Sequence, residues 1–371
     1  MAMSFNFERR DSDRSILIDT FDRSFLGIPR FKLFNGPTPL EHLGKLASGA
    51  TLWIKRDDLL SVGLGGNKVR KLEFIVADVL TVGATDVVTV GAEQSNHLRL
   101  TSACCAKAGL KSHLFFASPS GKQSSGNQDL AKLFGGKVYI VKGDLKAATE
   151  AALEFTNSLK SDHLVPYYIE PGGSVPLGAL GYMLCYSEIS FQLEKLGIQS
   201  SFIYLPVSTM GTLAGLAAGA SMMLSRKNNL GLSVSSLFKI RGIVVDPDFG
   251  PYPTGTNEKA LDLTINTLEI LNKSEVLNSN VFQLLYETDI SGTYGKPTQI
   301  SDAAFRFAAR QYGLLLDRTY SAKAFGQLLA DDLNGKFKSN ENIIFLHTGG
   351  LGANFSTLGT SSLGELINPK D

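Results

Sequence analysis

A chain of 371 residues exceeds the roughly 250–300 over which a single hydrophobic core keeps growing, so two lobes are expected. Its 36 Lys and Arg against 35 Asp and Glu give a net charge of +1, which supplies no field for nucleic acid or an anionic membrane surface. No apolar run approaches the ~20 residues of a membrane span, and Met1–Thr20 lacks the apolar stretch of a secretory signal, so a cytoplasmic protein is expected.

From Thr51 onward, short β-rich runs alternate with longer helical ones. Strands are predicted at Thr51–Lys55, Asp86–Val90, His113–Ala117, Lys137–Val141, Val165–Ile169, Phe202–Val207, Arg241–Asp246 and Ile343–His347. Their cores (VVTV, LFF, VYIV, IYLPV, GIVV, IIFL) are nearly continuous apolar runs, the pattern of parallel strands buried on both faces. Helices are predicted between them, among others at Ser95–Ala108, Gln123–Phe134, Leu145–Leu159 and Pro176–Leu196. The class is therefore α/β, with two domains built on twisted, mainly parallel sheets flanked by helices. Several strands run into small-residue turns (Gly91-Ala92, Pro171-Gly172-Gly173, Gly349-Gly350), where open parallel sheets bind ligands. Cys104, Cys105 and Cys185 are odd in number and form no CxxC, which fits reduced, buried thiols. The five histidines are scattered without HExxH, and no protein-bound metal is expected.

Four stretches carry potential chemistry. Gly65-Gly66-Asn67-Lys68 follows the first predicted strand, but Val69 after the lysine rules out a P-loop. Two glycines let backbone approach a ligand, and a desolvated lysine at a helix start becomes an amine nucleophile. The plainer reading is a turn and a surface lysine, since basic runs such as Lys68-Val69-Arg70-Lys71 are usually solvated faces. In Glu93-Gln94-Ser95-Asn96-His97, Ser95 or Asn96 is a normal helix N-cap, or both face a ligand at the strand's end. Ser208-Thr209-Met210-Gly211-Thr212 offers free N–H groups and a helix N-terminus to a phosphate. Gly211, Gly215 and Gly219, spaced four apart, equally suit close helix packing. The last stretch combines Tyr294-Gly295, Tyr320-Ser321 and His347-Thr348-Gly349-Gly350, whose tyrosines taken singly would be read as packing residues.

Taken together, WIKRDD (53–58), GGNKVRKLEF (65–74), QSNH (94–97), PGGSVPLGALGY (171–182), GTLAGL (211–216), YSAKAF (320–325) and HTGG (347–350) resemble one family. It is the D-cysteine desulfhydrase and 1-aminocyclopropane-1-carboxylate (ACC) deaminase family of fold-type-II, tryptophan synthase β-like enzymes, which use pyridoxal 5'-phosphate (PLP). The resemblance implies PLP held as a Schiff base on Lys68, with Asn96 near its phenolic oxygen. It implies that Ser95 contacts the substrate, that Ser208, Thr209, Met210, Gly211 and Thr212 hold the phosphate, and that Tyr294 and Tyr320 flank a small amino-acid substrate. It also implies a homodimer, and a large domain of residues 1–70 and 174–371 with a smaller domain, 71–173, inserted.

The two branches of the family differ beside the pyridine ring, and Ser321 and Thr348 match the desulfhydrase choice rather than the Glu and Leu of ACC deaminases. A neutral hydroxyl there leaves the ring a weaker electron sink, which suits loss of a thiolate better than opening of a cyclopropane. The expected reaction is β-elimination from D-cysteine, with Lys68 as general base. ACC deamination, a sulfo-lyase acting on cysteate through Arg318, and a PLP-holding protein without turnover remain as alternatives. The chain departs from the family at Met210, where Gly is common, and at Glu93, where an aliphatic residue is common. Asp317-Arg318-Thr319 also replaces DPV, and Ala322 replaces Gly.

Overall fold

The computed structural model describes residues 27–161, 164–198, 202–229, 238–246 and 254–356, so the predicted absence of a signal at Met1–Thr20 lies outside them. Among the described residues the chain runs through β1 (Leu40–Lys45), β2 (Thr51–Arg56), α1 (Lys68–Thr81), β3 (Asp86–Ala92), α2 (Asn96–Ala108), β4 (Lys111–Ser118), α3 (Asn127–Leu133) and β5 (Lys137–Lys142). It continues through α4 (Leu145–Ser161), β6 (Pro166–Ile169), α5 (Pro176–Lys195), β7 (Phe202–Val207), α6 (Gly211–Asn229), β8 (Lys239–Val244) and α7 (Thr254–Glu269). The last elements are β9 (Phe282–Leu285), α8 (Thr288–Ser291), α9 (Gln299–Tyr312), α10 (Ser321–Leu333) and β10 (Asn342–His347).

Two sheets result. Six strands lie in the order β1-β2-β10-β7-β8-β9, all parallel except the antiparallel edge pair β1/β2; four parallel strands lie in the order β5-β4-β3-β6. The chain leaves the first sheet after β2 and returns to it at β7. β10 explains why the predicted strands read as continuous apolar runs. Ile343 and Phe345 pack into the cluster with Phe325 and Leu328, while Ile344 and Leu346 pack on the opposite face with Leu205 and Leu213. Both faces are buried, so alternation disappears from the sequence.

All eight predicted strands form. Pairing with β7 and β9 moves the predicted Arg241–Asp246 strand to Lys239–Val244. The predicted helix Gln123–Phe134 starts only at Asn127, because Gly126 sits at φ 77° and Gln94 Nε2 holds Ser124 Oγ and Ser125 O at 2.7 and 2.9 Å. The glycines of α6 do pack helices. A Cβ on Gly215 would lie 2.1 Å from Ala179 O of α5, and one on Gly219 would lie 2.8 Å from Tyr186 Cβ. Cys104, Cys105 and Cys185 are free and buried.

The basic run at the start of α1 corrects the solvated-face expectation, since Arg70 and Lys71 are each only 1% exposed. Arg70 reaches both oxygens of Asp57 (2.8 and 2.9 Å) and both of Glu188 (2.8 Å each), and Tyr182 OH donates to Asp57 Oδ2 at 2.6 Å. Burial alone would raise the Asp57 carboxyl; the charge and hydrogen bonds of Arg70 outweigh it and hold the group below its usual range. This network fixes the first turn of α1, and with it the direction in which Lys68 leaves the helix.

Candidate active site

The carboxyl ends of β3, β4, β7 and β10 open on one cavity of about 830 Å³, lined by residues of both sheets. Its floor is the turn before α1. A Cβ on Gly65 would lie 2.0 Å from Asp58 O, and one on Gly66 would lie 2.9 Å from Thr348 O, so both positions require glycine; their φ values of 65° and 118° require it too. The close approach lets Asn67 N–H donate to Thr348 O at 3.0 Å. Lys68, the next residue, lines the cavity, and its Nζ donates to Asn67 Oδ1 at 3.3 Å. Burial pushes its amine down from 10.5 to about 8.

At one end of the cavity the turn Ser208–Thr212 leads into α6. Thr209 Oγ1 bonds Ser174 Oγ at 2.6 Å, and Asn67 Nδ2 donates to Thr212 Oγ1 at 3.0 Å. Ser208 Oγ donates to Asp246 Oδ2 at 2.9 Å. Lys71 Nζ comes in from α1, donating to Gly172 O at 3.1 Å and Ser174 Oγ at 3.0 Å, with no carboxylate paired to it among the described residues. A Cβ on Gly211 would lie 2.7 Å from both Lys71 Nζ and Ser174 Oγ. The end is therefore a helix N-terminus with hydroxyls and a buried lysine, whose amine burial and the neighbouring Lys68 push well down, around a gap that only glycine leaves open. Met210 has φ 65°, the left-handed region in which L-side chains are strained, so the turn keeps its glycine-type backbone despite the substitution.

On the second sheet's side, Ser95 caps α2, its Oγ accepting from Leu98 N at 3.3 Å, and still lines the cavity, its hydroxyl hydrogen uncommitted among the described residues. Asn96 Oδ1 accepts from Arg99 Nη2 (3.2 Å) and Asn127 Nδ2 (3.1 Å), which leaves the amide nitrogen for a ligand. Across the cavity, the hydroxyls of Tyr294 and Tyr320 bond each other. Burial pushes both phenols up, and the nearby Asp246 and Asp317 carboxylates add to it, so the pair stays neutral. Lys323 Nζ, fully buried in α10, donates to the carbonyls of Ser291 and Thr293 and pins the loop that carries Tyr294.

A model of pyridoxal-phosphate dependent enzymes matches residues 31–349. Among curated proteins, a D-cysteine desulfhydrase of Klebsiella pneumoniae subsp. pneumoniae is 35% identical over 335 residues, covering 88% of this chain and 96% of that protein. One of Yersinia pestis is 34% identical over 344 residues, covering 91% and 98%. The chain belongs to the pyridoxal-phosphate dependent enzyme family. Among solved structures, an ACC deaminase homologue superposes with a TM-score of 0.75 at 32% identity, covering 92% of this chain and 96% of that one. A fungal L-serine ammonia-lyase from Rhizomucor miehei gives a TM-score of 0.59 at 15% identity, covering 89% and 96%, and shares the fold. The family's cofactor, PLP, fits what the chain presents. The gap over Gly211 and the N–H and amine donors beside it, Lys71 Nζ among them, suit its phosphate, and the depressed amine of Lys68 suits its aldehyde.

The residues singled out in the sequence therefore meet, with one difference of placement. Lys68, Ser95, Asn96, Ser208, Thr209, Met210, Gly211, Thr212, Tyr294, Tyr320 and Thr348 all line the cavity, whereas Ser321 does not. It is fully buried behind the wall, its Oγ donating to Asp317 Oδ1 at 2.6 Å. Asp317 is the residue that reaches the cavity there, its carboxylate also accepting from the N–H groups of Thr319, Tyr320 and Ser321. Arg318 is held by Asp302 through two bonds of 2.8 Å and does not line the cavity, so it offers no cation for a sulfonate. The sequence reading passed over Lys71 as one basic residue in a run. Only the i, i+3 spacing from Lys68, which puts both on one face of α1, could have raised it.

Proposed function

We propose that this enzyme eliminates sulfide from D-cysteine, giving hydrogen sulfide, pyruvate and ammonia with uptake of one water. The observation that carries elimination is the convergence of a depressed lysine amine, Lys68, and a neutral tyrosine pair, Tyr294–Tyr320, on one cavity. The choice of D-cysteine is supported by the names of the curated relatives. When bound, PLP supplies the electron sink that makes the Cα proton of an amino acid removable.

The chain's own groups divide the remaining work. The Ser208–Thr212 turn and Lys71 hold the phosphate, and the Asn96 amide nitrogen donates to the phenolic oxygen. Ser95, at the positive end of α2, donates its free hydroxyl hydrogen to the substrate carboxylate. Lys68 Nζ takes the Cα proton as general base. Of the two hydroxyl protons on Tyr294 and Tyr320, one joins the pair and the other is available to the departing sulfur. In the same reading residues 71–173 form a smaller domain against 1–70 and 174–371, two chains associate as a homodimer, and the enzyme works in the cytoplasm. No helix among the described residues is long and apolar enough to cross a membrane.

The test is an assay of purified holoenzyme on D-cysteine, L-cysteine, cysteate and ACC, following sulfide, bisulfite, pyruvate and 2-oxobutyrate. Sulfide and pyruvate from D-cysteine alone are expected, with turnover and the cofactor's visible absorption both lost in Lys68→Ala. Release of 2-oxobutyrate from ACC without sulfide from D-cysteine would overturn the reading.

A further inference from the structure

Glu93 is the one member of the Glu93–Asn96 turn whose side chain the fold leaves nearly unused. Gln94 bonds Ser124 and Ser125, Ser95 caps α2, and Asn96 is held by Arg99 and Asn127. Glu93 lines the cavity half-buried, and among the described residues its carboxylate accepts one hydrogen bond, from Ser118 Oγ at the long distance of 3.5 Å. No basic side chain pairs with it among the described residues, and the motif resembled in sequence carries an aliphatic residue at this position.

We propose that Glu93 sets the charge class of the substrate, admitting amino acids with a neutral or cationic β-substituent and rejecting those with an anionic one. This deepens the elimination reading and rests on it. Burial already disfavours the charged carboxylate and raises its pKa; a cationic or hydrogen-bond-donating substituent relieves that cost, and an anionic one adds to it. A sphere of the cavity's volume is about 12 Å across, comparable to the ~8–10 Å Debye length of physiological salt, so a substrate inside feels this charge largely unscreened. The other charges lining the cavity do not cancel it. Asp144, Lys146 and Lys296 are exposed and solvated; Asp246 accepts from Ser208, and Asp317 is saturated by its own turn. Lys68 stands at the cofactor's attachment point.

Glu93→Gln and Glu93→Ile test this as holoenzymes in two ways. The first is kcat/KM for pyruvate release from D-cysteine, β-chloro-D-alanine, D-2,3-diaminopropionate and D-cysteate. The second is dissociation constants of the D and L forms of serine and aspartate, read from the cofactor's absorption change. Both variants are expected to narrow the preference for neutral over anionic ligands by about tenfold or more, mainly through KM and the dissociation constants. An unchanged serine-to-aspartate ratio in both variants overturns the proposal, whatever the turnover. If none of the four substrates yields pyruvate, the elimination reading fails, while the binding ratio still decides the role of Glu93.

Discussion

At the scale of single residues, chemistry here depends on what burial does to one amine and what backbone geometry does to one methionine. The Lys68 amine, pushed down to about 8, is mostly protonated below that pH and mostly free above it. Only the free amine attacks an aldehyde, so capture of PLP by the apoprotein should speed up as pH rises through about 8 and then level off. Growth of visible absorption after mixing measures it, and a rate that is flat between about pH 7 and 9 would count against the assignment. Met210 is a second case. It packs in the core beside Leu213 and Val207 yet holds φ 65°. Removing its side chain should cost about 2–5 kcal/mol either way, but Met210→Gly also releases the left-handed strain that Met210→Ala keeps. The glycine variant should therefore be the more stable of the two by ~1 kcal/mol in urea denaturation, the reverse of the usual order.

At the scale of elements, the pairing of α5 with α6 places the Ser208–Thr212 turn. In an exposed helix interior Gly→Ala adds ~0.8–1 kcal/mol of helix stability. Gly215→Ala should instead destabilise by ~1–3 kcal/mol, because the new methyl would stand 2.1 Å from Ala179 O and the helices must part. Since α6 begins at Gly211, its displacement should also weaken PLP retention during dialysis; a variant that is both stabilised and fully loaded would contradict this packing. The four-residue glycine spacing was open in the sequence to a phosphate or a packing explanation. Packing accounts for Gly215 and Gly219, which seat the helix, while Gly211 stands at the turn, where a Cβ would meet Lys71 Nζ and Ser174 Oγ.

At the scale of the whole molecule, the Arg70 network joins the turn after β2, the start of α1 and the middle of α5. Arg70→Met would strand Asp57, which is fully buried, and leave Glu188 with Lys55 alone. A loss of about 3–5 kcal/mol is expected by denaturant titration, part of which Arg70→Met combined with Asp57→Leu should recover. Much of the fold was legible because parallel strands buried on two faces write themselves as apolar runs. The edge strands β1 and β9 were not, since LEHLGK is only half-buried and FQLL is four residues long. Lys71 and Arg70 escaped for a common reason. Their meaning lies in partners far away in sequence, such as Glu188 for Arg70, and a charged residue looks the same on paper whether it faces water or an ion pair. The motif stretches survived because each joins a strand end to a helix start, where local sequence and site geometry coincide.

The position of β10 has a consequence for how the enzyme is made. It lies between β2 and β7, so residues near 52 and residues near 204 meet their shared neighbour only once residues 342–347 exist. The glycine turn before Lys68 closes on Thr348, just beyond that strand. A growing polypeptide on the ribosome therefore carries Lys68 through almost the whole of synthesis without a finished pocket around it. The cavity around Lys68 can close only when the central strand takes its place between β2 and β7.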